Sequence, residues 1–281
     1  MTEPANMTEM SDGPGDAPAM PPAEPARMIE MSDAPGDAPG CARPATHFAT
    51  LPARIAALDM AAIGTALNAR GCATTGPLLT PAECAALAAL YDGEGFRSHI
   101  IMARHGFGRG EYKYFADPLP APVRWLREGL YEVLAPVARN WAGRMGRPED
   151  YPARHVAYAA ACHAAGQTRP TPLLLRYGPG DYNCLHQDLY GDLHFPLQAA
   201  LLLTKPEDFE GGEFVLTEQR PRMQSRAEVV TLRQGEAVIF AVNDRPVRGA
   251  RGDYRVKLRH GVSRLRTGTR HTLGVIFHDA K

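Results

Sequence analysis

Several common signatures are scarce or missing from this sequence. Its 281 residues include five cysteines, Cys41, Cys72, Cys84, Cys162 and Cys184, and no Cys-x-x-Cys pair. An odd, scattered set argues against a disulfide scaffold or a zinc ribbon, and makes a reducing cytoplasm the expected location. No apolar run approaches the ~20 residues that span a bilayer, so no membrane partner is expected. The opening Met-Thr-Glu-Pro lacks the basic and apolar regions of a secretory signal. Aromatic residues make up 7% of the chain, and residues 1–45 contain none. Net charge is formally zero, so bulk charge names no partner.

What is present is unevenly spread. Apolar residues reach 44% and charged residues 22%, which fits a globular body large enough for a sizeable core. Residues 1–45 hold eight acids and two bases. They are rich in Pro, Gly and Ala, and a ten-residue unit beginning at Glu9 recurs at Glu30. That composition buries too little apolar surface to offset ordering entropy, so a disordered acidic tail is expected. From Gln219 to Lys281 there are 14 bases against five acids. This basic third favours an anionic ligand or partner, with a plain solvated surface as the alternative.

Residues 46–169 read as a mostly helical support region. Helical spacing runs through 51–69, 122–145 and 148–164, and Thr80-Pro-Ala-Glu83 forms a capping box that opens another helix. Pro136 is a candidate kink. The intervening stretch 97–115 interleaves Arg97, Arg104, Arg109 and Lys113 with Phe107, Tyr112, Tyr114 and Phe115. Such a mixture could clamp a planar anion. The alternative, adopted here for the aromatics, is a short hairpin around 106–110 that caps the core. From residue 170 the pattern changes to short strands at 173–178, 198–204, 213–217, 228–232, 237–241, 259–266 and 270–278. Their punctuation by turns implies a sandwich or barrel.

Within that strand region, His186 and Asp188 form a His-x-Asp pair. On a strand, residues two apart share a face. His260 lies on a later strand, and two histidines with one carboxylate make the facial triad of non-haem iron(II) oxygenases, which leaves metal positions open. Arg270 and Thr272 open the last strand on a common face, where a buried guanidinium could clamp a carboxylate. His194, His271 and His278 are read as structural or surface residues, and His99, His105 and His163 receive no metal role.

These residues sit in segments that resemble prolyl-4-hydroxylase-type Fe(II)/2-oxoglutarate oxygenases. The segments are RYGPGDYNCLHQD (176–188), EGGEF (210–214), GEAVIF (235–240) and HGVSRLRTGTR (260–270). They follow in the family's order and cover about residues 170–281. The resemblance implies an α+β fold with a double-stranded β-helix (jelly-roll) core and flanking N-terminal helices. It implies Fe(II) held by His186, Asp188 and His260, 2-oxoglutarate held by Arg270 with Tyr177 and Thr272, and O2 as oxidant. Tyr182 matches a second family tyrosine of less defined role. The whole chain also resembles a bacterial oxygenase family assigned to oxidative repair of methylated DNA. The expected reaction is hydroxylation, with demethylation where the carbon is an N-methyl group. Nucleic acid is thus one candidate substrate, and a prolyl-type peptide or amino acid is another. A non-catalytic iron and 2-oxoglutarate sensor is the reading from another class, and the presence of all four key residues weighs against it.

Overall fold

The structure, a computed structural model, describes residues 48–281, which belong to one compact unit. The acidic repeat, Cys41 and the expected tail boundary at residue 45 lie outside the described residues.

The expected helix over 51–69 is two helices. The first, α1 (Leu51–Ala56), ends before Asp59, whose carboxylate accepts the Ala62 N–H at 2.9 Å and starts α2 (Met60–Arg70). A short acid at this spot caps orphan N–H groups and so divides the run. Gly71 then takes a left-handed conformation (φ +81°) that stops α2. The capping box forms as expected at the start of α3 (Pro81–Ala89), between Thr80 and Glu83. Glu83 is buried and also pairs with Arg54.

The long helix α4 (Ala121–Arg144) continues through Pro136. Its buried stripe of Val123, Leu126, Leu130, Leu134, Ala138 and Trp141 recurs at three- and four-residue intervals and faces the core. The helix expected over 148–164 begins only at His155, as α5 (His155–Ala164). Pro148 and Pro152 disfavour helix at the residues before them. The freed carbonyls of Tyr151 and Pro152 instead accept from Arg139 and the Tyr131 hydroxyl.

Two antiparallel sheets form the core. The larger runs in the order β1 (Cys72–Pro77), β11 (Glu236–Ala241), β7 (Leu197–Leu202), β15 (Arg270–Val275), β5 (Leu173–Tyr177), β4 (Glu111–Phe115) and β2 (Phe96–Ile101). The smaller runs β10 (Arg226–Val230), β9 (Phe214–Gln219), β13 (Gly252–Val262), β6 (Tyr182–His186) and β3 (Gly108–Arg109), with β12 (Asp244–Gly249) also on β13. A two-stranded ribbon joins β8 (Phe209–Gly211) to β14 (Leu265–Gly268).

Phe214 of the smaller sheet and Phe240 of the larger meet with ring centroids 4.7 Å apart. The sheets therefore pack face to face around one apolar core. This is the jelly roll with N-terminal helices that the resemblance implied. The segment before residue 170 supplies more than helices, because its strands β1, β2 and β4 complete the larger sheet.

Candidate metal centre and co-substrate site

Strand pairing builds the centre. His186 closes β6 and His260 lies on β13, directly opposite it in register. Gly261 follows, where a Cβ would come within 2.6 Å of the Asn183 carbonyl oxygen, so glycine lets the two backbones approach. Asp188 lies two residues past the end of β6, not on the strand where side-chain alternation would put it. Its approach to the histidines depends on Gln187. That side chain donates to Leu258 O at 2.6 Å and Asn243 Oδ1 at 2.8 Å, pinning the chain as it leaves the sheet.

The result is a three-residue cluster. Asp188 Oδ1 lies 3.4 Å from His186 Nε2, and Asp188 Oδ2 lies 3.4 Å from His260 Nε2. One ligand atom from each of the three lies within 4.8 Å of the others. The Nδ1–H of His186 donates to its near neighbour Cys184 O at 2.8 Å. That bond fixes the tautomer and leaves Nε2 with its lone pair toward the cluster. Asp188 and His260 are buried, while about a third of the His186 side chain is exposed, so the cluster has an open side. Burial opposes charge on Asp188, but the two histidines outweigh it and hold the carboxyl well below the usual carboxylate range. Burial keeps His260 toward its neutral form, which is the ligating one.

The second half of the site is on the opposing sheet. The Phe240 ring lies 4.5 Å from that of His260. Registers through β11, β7, β15 and β5 place Arg270, Thr272 and Tyr177 on the same face as Phe240. Arg270 is buried, and Thr272 Oγ1 accepts from its Nη1 at 2.8 Å. Among the described residues no carboxylate lies within ion-pairing distance of it, and burial lowers the guanidinium's pKa. Tyr177 stands opposite Arg270, with the guanidinium carbon 5.8 Å from its ring centre. Its hydroxyl is buried without a partner among the described residues. A buried cation and a buried phenol left unmatched are costly unless an anion joins them. Gly212 of the GGE turn (φ +68°) clears the space, since a Cβ there would lie 2.9 Å from Arg270 Cδ.

These features fit Fe(II) and 2-oxoglutarate. The donor set is two imidazoles and one carboxylate with an open side, and a carboxylate-sized anion is wanting beside Arg270.

Residues 110–280 match the Oxygenase-NA family model, described as an oxygenase catalysing oxidative methylation of damaged DNA. The chain belongs to this oxygenase family. Uncharacterized proteins from two strains of Mycobacterium tuberculosis are 50% identical to the oxygenase over 167 residues, 59% of this chain and 72% of theirs. Among solved structures, a 2OG-Fe(II) oxygenase family oxidoreductase from Burkholderia pseudomallei aligns at TM-score 0.48 and 14% identity, over 79% of this chain and 92% of its own. A Trichoplax adhaerens prolyl hydroxylase in complex with a hypoxia inducible factor peptide fragment aligns at TM-score 0.49 and 14% identity, over 82% and 92%.

Other residues of the oxygenase fall into place around this centre. Tyr182 lies on β6 opposite Arg109 of β3, with no bond to the cluster or to Arg270. His278 is buried, and its Nδ1 accepts from Phe195 N at 3.3 Å. His271 packs edge-on against Tyr91, and His194 is half-buried. His99 pairs with Glu111 and His163 with Asp279. The expected hairpin joins β2 to β4, but its tyrosines do more than cap the core. Tyr112 and Tyr114 are buried in the same apolar cluster as Tyr177, and the Tyr114 hydroxyl donates to that of Tyr190, 3.1 Å away. Tyr190 in turn donates to Asp188 Oδ1 at 2.5 Å. Tyr190 carried no expectation from the sequence, although it stands two residues after the His-x-Asp pair. The period-two spacing of Tyr112 and Tyr114 was the other available signal.

Proposed function

We propose that this oxygenase hydroxylates methyl carbons on damaged nucleic acid. In this reading His186, Asp188 and His260 hold Fe(II), and Arg270 holds the far carboxylate of 2-oxoglutarate. The observation that carries it is the His186–Asp188–His260 cluster set against a buried arginine that has no carboxylate partner among the described residues. Bound there, the metal and co-substrate supply the oxidising chemistry, in which one O2 oxygen enters a substrate C–H bond while 2-oxoglutarate becomes succinate and CO2. The protein's own residues do the rest. Thr272 orients the Arg270 guanidinium, and the Tyr177 hydroxyl would donate to the same carboxylate. Phe214 and Phe240 pack against the His260 ring and keep water from that side. The open side at His186 leaves room for substrate.

For an N-methylated base, hydroxylation gives a hemiaminal that releases formaldehyde and restores the base. The chemistry therefore removes a methyl group. Nucleic acid is supported by the family description and by exposed bases flanking both metal-site strands. Arg104 and Arg109 precede or lie on β3 beside β6, and Arg264 and Arg266 follow β13. No described helix is long and apolar enough to cross a membrane, and Cys72, Cys84, Cys162 and Cys184 are free. The free thiols of this uneven, scattered cysteine set fit the reducing cytoplasm that we propose as its location.

The test is anaerobic loading with Fe(II) and 2-oxoglutarate, admission of O2, and measurement of formaldehyde and succinate. Methylated single-stranded DNA and a proline-rich peptide are compared. Formaldehyde in step with succinate on the DNA alone supports the proposal. Hydroxyproline on the peptide, with no formaldehyde from DNA, would assign the competing substrate.

A further inference from the structure

Asp188 presents a problem that the sheet does not solve. Both histidines of the centre are on paired strands, but Asp188 follows the end of β6, where no ladder fixes its side chain. Each of its oxygens lies 3.4 Å from a different histidine Nε2. Backbone geometry alone therefore leaves two oxygens competing for one ligand position.

A chain of hydroxyls breaks the tie. Tyr190 donates to Oδ1 at 2.5 Å, and Tyr114 donates to the Tyr190 oxygen at 3.1 Å. Both donors point toward the carboxylate, so each bond polarises the next. The chain is anchored at its far end. Tyr114 is buried on β4, paired with β2 and β5, and the Arg97 guanidinium covers its ring at 4.5 Å. Arg97 Nε is held by Pro170 O at 2.8 Å. At the near end, the Tyr190 ring packs 6.0 Å from the buried His278 ring.

We infer that Tyr190, backed by Tyr114, is the positioning residue of this metal centre. Its hydroxyl engages Asp188 Oδ1 and leaves Oδ2, beside His260, as the single ligating oxygen. A one-oxygen carboxylate keeps metal positions free for co-substrate and O2. The inference rests on the reading that His186, Asp188 and His260 hold the metal.

The test uses full-length protein loaded with Co(II), whose visible ligand-field bands report coordination number. Tyr190→Phe and Tyr114→Phe keep both rings and remove one hydroxyl each. Tyr190→Phe is expected to weaken Co(II) binding by ~10–100-fold, the usual effect of losing a partner to a metal ligand. Its bands should also change in intensity, as the freed oxygen raises the coordination number. Tyr114→Phe should shift both readouts in the same direction by less. Thermal unfolding of each metal-free variant checks that the fold survives. If Tyr190→Phe melts like the parent and binds Co(II) with parental affinity and spectrum, the inference is overturned. His186→Ala separates the two levels. Loss of Co(II) binding in that variant alone would sink the positioning role and spare the metal site. Retention in both would sink the metal site itself.

Discussion

At the residue scale, Arg270 carries most of the co-substrate argument. Replacing it with alanine removes one member of a buried charge pair, a change that costs about 2–5 kcal/mol and so at least ~30-fold in 2-oxoglutarate affinity. Anaerobic calorimetry with Mn(II) in the site measures this, and unchanged affinity would show the clamp to be elsewhere. Gly212→Ala is expected to act on the same group from the side. Its left-handed backbone disfavours alanine by ~1–2 kcal/mol, and the added Cβ meets Arg270 Cδ and Leu265 Cδ1. Lower thermal stability together with weaker 2-oxoglutarate binding is the expected pair of results. The grouping of His186, Asp188 and His260 and the common face of Arg270 and Thr272 were legible in the sequence, because each residue sits in a short segment with its own spacing. Tyr114 and Tyr190 were not, because 76 residues separate them and only the folding of β4 against the following loops brings their hydroxyls together.

At the element scale, the C-terminal segment after β15 is held by neutral imidazoles. His155, at the start of α5, donates from Nε2 to Phe277 O at 2.9 Å. Burial lowers its pKa to about 4, with Arg127 adding to the effect. Burial likewise lowers His278, to about 3. In both cases the unfolded chain binds the proton first, near pH 6.5. Their stabilisation is complete above that pH and is lost as pH falls, toward 4 for His155 and toward 3 for His278. For His155 the loss amounts to about 3 kcal/mol at most. Urea midpoints should fall between pH 6.5 and 4, and His155→Gln should flatten part of that slope. An equally steep slope in the variant would contradict the assignment.

The strands from residue 170 were largely legible from their apolar runs, but β12 was not. Its Asp-Arg-Pro-Val-Arg-Gly sequence reads as a loop, and it becomes a strand because Arg245 is buried in a pair with Glu218 of β9. β1 was obscured by the helices on either side of it, and the hairpin expected around 106–110 left the reach of β2 and β4 open. They are five or six residues long, and pairing across the sheet decides their conformation more than local preference does.

At the scale of the whole molecule, the even charge balance conceals a basic oxygenase body, and this bears on substrate. Phosphate contacts release counterions, so DNA affinity should fall steeply between low and physiological salt. Arg109→Ala should weaken binding to all sequences alike and reduce the log–log salt slope by about one. Salt-independent binding would count against a nucleic-acid substrate while leaving the metal centre standing.

The centre itself is tested most directly by succinate. The protein is loaded anaerobically with Fe(II) and 2-oxoglutarate, given O2 and methylated single-stranded DNA, and compared with His186→Ala and Arg270→Ala. Iron-dependent succinate from the parent is predicted, abolished in His186→Ala and restored toward parental rates in Arg270→Ala only at high 2-oxoglutarate. Undiminished succinate from His186→Ala would contradict the assignment of His186, Asp188 and His260 as the iron site.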